Sequence, residues 1–191
     1  MNSKTIAFVI TMAALGNVLS FIPIGLSRVG QVGFDLSHVT TFVVAFYGGP
    51  YLGFITGFVG GIAAGIQFGP MGWLSWLGLI GLPVGKSLTG FASGALFRGL
   101  NINREAHSSL LTVSAVLLGY VPEVLFTVLF FLVLVPYFLG WTVDFALTIL
   151  VPIVIKAWME MAIMSVLMGA LVGNNGFSAY MSAFFNSHKP K

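Results

Sequence analysis

Four ionisable residues stand inside long apolar runs of this chain: Lys86, Glu123, Lys156 and Glu160. A charge near the centre of a bilayer costs several kcal/mol, so such residues face a bundle interior or a polar cavity and mark a site. Lys156 and Glu160 are four residues apart, share a helix face and are able to neutralise each other. Glu123 is able to pair with Lys86, which would leave a structural ion-pair network and no ligand contact. The competing reading is one polar pocket that grips a small molecule. Tyr120, one turn before Glu123, together with Phe91 and Trp158, is a candidate for stacking on a flat ligand. For any one of these rings, packing against lipid or a neighbouring helix is the alternative. Asp35 opens a further apolar helix, and His38 sits in its first turn as a structural or ligand-facing group.

Other chemistries are missing from the sequence. There is no cysteine, which excludes disulfides and thiolate chemistry. His38, His107 and His188 lack the spacing of metal ligands. No P-loop, G-x-G-x-x-G or G-x-S-x-G motif is present. No catalytic residue, metal or cofactor is therefore expected, and the chain is read as a non-enzyme. Its intramembrane charges form a single cluster without a repeated acidic relay, and no inverted repeat of broken helices is visible. The chain is built to bind something and not to energise transport itself.

The elements that must carry these charges follow from composition. The chain has 191 residues, 58% hydrophobic and 7% charged, where a soluble domain carries about 25% charged residues. A spanning helix needs about 20 residues. The pattern predicts an all-α membrane protein, a compact bundle of six spans at about 5–22, 36–50, 51–68, 75–99, 110–138 and 145–172. Residues 1–191 form a single domain. The N-terminal apolar run is read as an uncleaved first span in preference to a signal peptide.

Helical rise, about 1.5 Å per residue, sets depth. Lys86 follows Trp76, and Lys156 follows Ala146, by a length of roughly 15 Å; Glu123 precedes Pro136 by roughly 20 Å. Matched depths on spans four, five and six allow one pocket in the outer half of the bundle. Pro83, Pro122 and Pro152 lie near these charges, and kinks there would widen a crevice.

The stretch FDLSHVTTFVVAFYGGPYLGFITGFVGGIAAGIQFG, residues 34–69, breaks at Gly48-Gly49-Pro50 and then places glycines at 53, 57, 61, 65 and 69. Such a glycine face lets a neighbouring membrane helix pack very closely. Basic residues set orientation. Lys4, Arg98, Arg104, Lys189 and Lys191 fall on one side, and Arg28 alone on the other. This predicts both termini in the cytoplasm, a multi-pass plasma-membrane protein, and no nucleic-acid surface despite the net charge of +3. The tail, 174–191, is a cytoplasmic amphipathic segment that lies on the membrane or a partner, or frays. The loop at 23–34 and the turn around Gly69-Pro70-Met71-Gly72-Trp73 are positioned to cover an outward-facing site. Trp73, Trp76, Tyr137 and Trp141 read as an interfacial belt.

In order along the chain, TMAALGNVL, FDLSHVTTFVVAFYGGPYLGFITGFVGG, LPVGKSLTGFASGALF and ILVPIVIKAWMEMAIMSVLMGAL resemble helices one, two with three, four and six of the substrate-binding S components of energy-coupling factor (ECF) vitamin transporters. The riboflavin-binding subfamily is nearest in pattern, through the start of helix two and Pro152 to Lys156. The resemblance implies a six-helix subunit without an ATPase of its own. Such a subunit captures a vitamin, riboflavin-like or another water-soluble one, from outside in a pocket on helices four to six. It then works with a membrane coupling protein and two cytoplasmic ATPases. It also implies docking through an Ala-x-x-x-Ala motif on helix one. No complete pair exists here, so Ala7 and Thr11, with Ala14, stand in for it. Gly90-Phe91 occupies the place of an Asn-Phe pair seen in riboflavin binders. Outside the resemblance, two other readings fit a charge-bearing bundle: a stand-alone channel or facilitator, and a non-catalytic assembly subunit.

Overall fold

The structure, a computed structural model, describes residues 3–26, 35–102 and 108–186. Arg28, Arg104, His107, His188, Lys189 and Lys191, with most of the 23–34 loop, lie outside the described residues. The described elements are all helical: α1 (Ser3–Leu26), α2 (His38–Gly48), α3 (Pro50–Gly60), α4 (Ile62–Phe68), α5 (Ser75–Gly99), α6 (Ser108–Leu129), a π-helical turn (Phe130–Leu134), α7 (Val135–Leu139), α8 (Val143–Gly173) and α9 (Asn175–Asn186). Four stretches are long and apolar enough to cross a membrane: Ser3–Ile22, Pro50–Phe68, Ser108–Leu139 and Val143–Gly173. Apolar α2 is shorter, at 11 residues. α5 has 25 residues, but its glycines and Lys86 dilute its apolar character.

Local chemistry explains the breaks. Gly49 adopts φ +99, which a side chain would strain, and Pro50 starts α3 where its missing N–H costs nothing. Arg98 reaches across from α5 to cap the end of α2, donating from Nη2 to the Gly48 carbonyl at 2.7 Å. The single third helix expected from sequence is two helices joined at Gly61. Asn17 of α1 spans that joint. Its Nδ2 donates to the Val59 carbonyl at 2.9 Å, and its Oδ1 accepts from the Ala63 N–H at 2.8 Å. Backbone groups freed by the break are thereby met inside the bundle, as a membrane interior requires.

The glycine face continues through the joint and lies on α5. A Cβ at Gly53 would stand 2.5 Å from the Gly90 carbonyl, at Gly57 2.5 Å from the Lys86 carbonyl, and at Gly61 2.8 Å from the Pro83 Cα. At Gly65 it would stand 3.1 Å from the Leu79 carbonyl. Contacts step down α5 as they step up α3 and α4, so the two run antiparallel with their backbones nearly touching. This close approach fixes which face of α5 turns toward the rest of the bundle.

α5, α6 and α8 run unbroken through Pro83, Pro122 and Pro152. Regular winding changes instead at the π-helical turn, where α6 widens just before Pro136. A wider turn accommodates a residue that has no N–H to donate. Two apolar clusters hold the helices. One contains Phe42, Phe46, Phe97, Met161, Met164 and Met168, with Phe46 and Phe97 stacked at 4.3 Å. The other contains Leu74, Leu77, Phe130, Phe131, Val135 and Leu150. α9 folds back on the chain: Tyr47 and Ser178 share a hydrogen bond of 2.8 Å, and Phe8 meets Phe184 and Phe185. The described part of the tail is thus a docked helix and not a frayed end.

Candidate functional site

A cavity of about 850 Å³ opens between the two apolar clusters, both of which contribute to its wall. That size falls within the range of small-molecule sites, roughly 300–1,000 Å³. Asp35, His38, Lys86, Glu123, Lys156 and Glu160 all line it. They arrive from four places: the approach to α2 and its first turn, then α5, α6 and α8. Tyr120 also lines it, with its ring nearly perpendicular to those of His38 and Trp158.

The polar groups form a connected set. Glu160 Oε1 accepts from Lys156 Nζ at 3.3 Å and from the backbone N–H of Asp35 at 2.6 Å. Asp35 Oδ1 accepts from the Ser37 N–H at 2.7 Å. Glu123 Oε2 lies 3.2 Å from His38 Nε2 and accepts from the Thr89 hydroxyl. Lys86 is almost fully buried; its Nζ donates to the Ser37 hydroxyl and, at 3.5 Å, to the Gly60 carbonyl. The ion pairs therefore differ from one of the alternatives read in the sequence. Lys156 does pair with Glu160, but Glu123 pairs with His38, and Lys86 is held by Ser37 and the α3–α4 joint.

Asp35 precedes α2. Burial works against its charge, but the Lys86 ammonium and His38 nearby, with hydrogen bonds from Ser37, outweigh burial and hold its carboxyl below the usual range. Two residues of the cavity lining have a polar atom left over: His38 Nδ1 and Gln67 Oε1 are buried without a partner among the described residues. An unmet buried polar atom costs about 1–3 kcal/mol, and a ligand group in the cavity is one way to meet it.

Phe91 is a correction. It is 40% exposed on another face of α5, edge-on to the Tyr51 ring at 5.8 Å, and is not part of the cavity wall. Trp158 touches Tyr120 but does not line the cavity either. Trp73 does line it, stacked on Trp141 at 5.5 Å and 13°, so this tryptophan is more than a belt residue. Trp76 and Tyr137, 48% and 80% exposed, keep outward positions. Sequence reasoning missed Thr89 and Ser37, and also the aromatic wall of Phe126, Phe130 and Phe131. Thr89 had a signal: it follows Lys86 by three residues and shares its helix face.

Ala7, Thr11 and Ala14 lie on the exposed face of α1. The Thr11 hydroxyl donates to the Ala7 carbonyl at 2.8 Å, so it is satisfied within the helix and the stripe stays compatible with an apolar neighbour. Among the described residues, no three His, Asp or Glu side chains group to hold a metal ion.

A family model described as ECF transporter, substrate-specific component, matches residues 4–172. No curated protein and no solved structure matches the chain.

Proposed function

This chain belongs to the family of ECF transporter substrate-specific components, a family of transporter subunits, and on that premise we propose that it is a vitamin-capturing S component. In this reading a water-soluble vitamin, riboflavin-like or another, enters the cavity from outside. A membrane coupling protein and two cytoplasmic ATPases then drive its uptake. The chain itself carries out no catalysis.

The observation that carries the reading is the convergence of Asp35, His38, Lys86, Glu123, Lys156 and Glu160 on one cavity. Charges this costly in a membrane interior are retained where they serve a site. The aromatic side chains that line the same cavity give a place for a flat ring, as ligand pockets commonly combine apolar walls with a few polar groups.

We extend the proposal to topology and docking. Six spans place both termini in the cytoplasm of a multi-pass plasma-membrane protein: α1, α2, α3 with α4, α5, α6 to α7, and α8. Ala7, Thr11 and Ala14 form the surface that meets the coupling protein. Exposure of that stripe supports this, as does the distance along α1 between Ala14 and Ser20, which lines the cavity.

The test is mass spectrometry of the ligand that co-purifies with the chain in detergent, followed by reconstitution with and without the coupling protein and ATPases. A bound small molecule, with accumulation only in the complete assembly, is the expected result. Accumulation by the chain alone would instead identify a self-sufficient carrier.

A further inference from the structure

The charges that the described residues bring to the cavity do not balance, and the imbalance points to the charge of the occupant. Three carboxylates line it, on Asp35, Glu123 and Glu160, against two ammonium groups, on Lys86 and Lys156. Both ammonium groups are already engaged: Lys86 by Ser37 and the Gly60 carbonyl, Lys156 by Glu160. The hydrogen bonds among the described residues engage one oxygen of each carboxylate: Oδ1 of Asp35, Oε2 of Glu123 and Oε1 of Glu160. Among the described residues, no hydrogen bond engages the second oxygen of each, which leaves it open to an incoming donor. With His38 neutral, the described residues of the frame carry one uncompensated negative charge.

An anionic ligand would add to that excess in surroundings of low dielectric, where like charges repel strongly. A cation would cancel it. The rest of the wall favours the same choice, because the rings of Trp73, Phe126, Phe130 and Phe131 line the cavity, and aromatic faces attract cations. They also accept a flat ring.

We propose that the ligand of this cavity is a flat heteroaromatic monocation, bearing a quaternary nitrogen or a protonated amine and no carboxylate or phosphate. Its positive group sits among Asp35, Glu123 and Glu160, and its ring lies against Phe126, Phe130 and Trp73. The proposal rests on the reading of the cavity as a ligand site and narrows it, placing neutral vitamins second and acidic ones last.

The test uses one ring in three charge states: 1-methylnicotinamide (cation), nicotinamide (neutral) and nicotinate (anion). Each is titrated into the purified full chain in detergent, with tryptophan fluorescence and calorimetry as readouts. The same titrations are run on Glu160→Gln and Glu123→Gln, which keep the hydrogen-bonding shape but remove a charge. The expected order is cation over neutral over anion, with about a tenfold or larger gap between the first and last. In at least one variant the cation should lose about tenfold while the neutral probe is unchanged. An anion that binds as tightly as the cation overturns the charge assignment and leaves the cavity as a ligand site. So does a co-purified ligand bearing a carboxylate or phosphate, or a cation preference unaltered in both variants. Binding of none of the three probes, with no ligand co-purified, counts against both readings.

Discussion

Gly57 of α3 lies directly on the backbone of Lys86 in α5, so that a methyl group at Gly57 would stand 2.5 Å from the Lys86 carbonyl oxygen. This close helix contact is thereby also what positions a charged residue of the cavity. Packing and site are set by the same pair of helices.

Replacing Gly57 with Leu is therefore expected to part α3 from α5. Overpacking in a close-packed interior costs typically about 1–3 kcal/mol, and backbone cannot yield as a flexible side chain can. Gly61→Leu should behave alike, since its Cβ would meet the Pro83 Cα at 2.8 Å. Thermal unfolding in detergent checks this; a Tm unchanged in both variants would mean that the helices are not held by glycine contact.

The α3–α4 joint gives a second expectation. Asn17→Ala removes the partner of the Val59 carbonyl and of the Ala63 N–H. Leaving such groups unmet costs about 1–3 kcal/mol. A lower Tm, with hydrogen exchange quickened around Gly61, is expected. Unaltered exchange there would show that the joint is satisfied in some other way.

How much of this was readable beforehand depends on whether an interaction is local. Lys86, Glu123, Lys156 and Glu160 stood out because a charge in an apolar run has few reasons to be there. Lys156 and Glu160 were paired from spacing alone. The bond between Glu160 and the Asp35 backbone joins residues 125 positions apart, and no local pattern announces it. The glycine ladder was visible in its own helix, but its partner, α5, was not. Phe91 was misplaced for a reason that helix geometry contains: five residues past Lys86 is about 140° around the helix, whereas Thr89, three residues on, returns to within about 60°. The π-helical turn was missed because Pro136 was read only as a marker of depth.

Lys156 and Glu160 separate two views of the site. Glu160→Gln should weaken binding of a cationic ligand by about 1.5–3 kcal/mol, the range for hydrogen bonds to charged groups. Lys156→Met should not weaken it, because the lysine is engaged by Glu160 and its loss releases that carboxylate. Equilibrium titration of both variants decides. Equal losses in the two would mean that Lys156 grips an anionic ligand directly.

Docking on α1 predicts a dissociation of two activities. Ala14 is exposed, so Ala14→Trp should leave ligand binding by the isolated chain nearly unaltered while abolishing uptake by the assembly with its coupling protein and ATPases. Binding assays in detergent and uptake into proteoliposomes measure the two separately. Equal loss of both would move helix one from the docking surface into the ligand site or the core.

Gly85 offers the most direct test of the central claim, that the cavity holds a small molecule. It lines the cavity, and a Cβ there meets nothing closer than Glu123 Cγ at 3.4 Å, an ordinary contact. Gly85→Leu should thus obstruct the cavity beside Glu123 and Phe126 without disturbing the α3–α5 ladder, and a leucine is the better helix former. Mass spectrometry of the parent chain and of this variant, each purified from the same cells, should find a bound small molecule in the parent and none in Gly85→Leu, with Tm retained. A parent that carries no ligand, or a variant that carries the same ligand undiminished, would contradict the account.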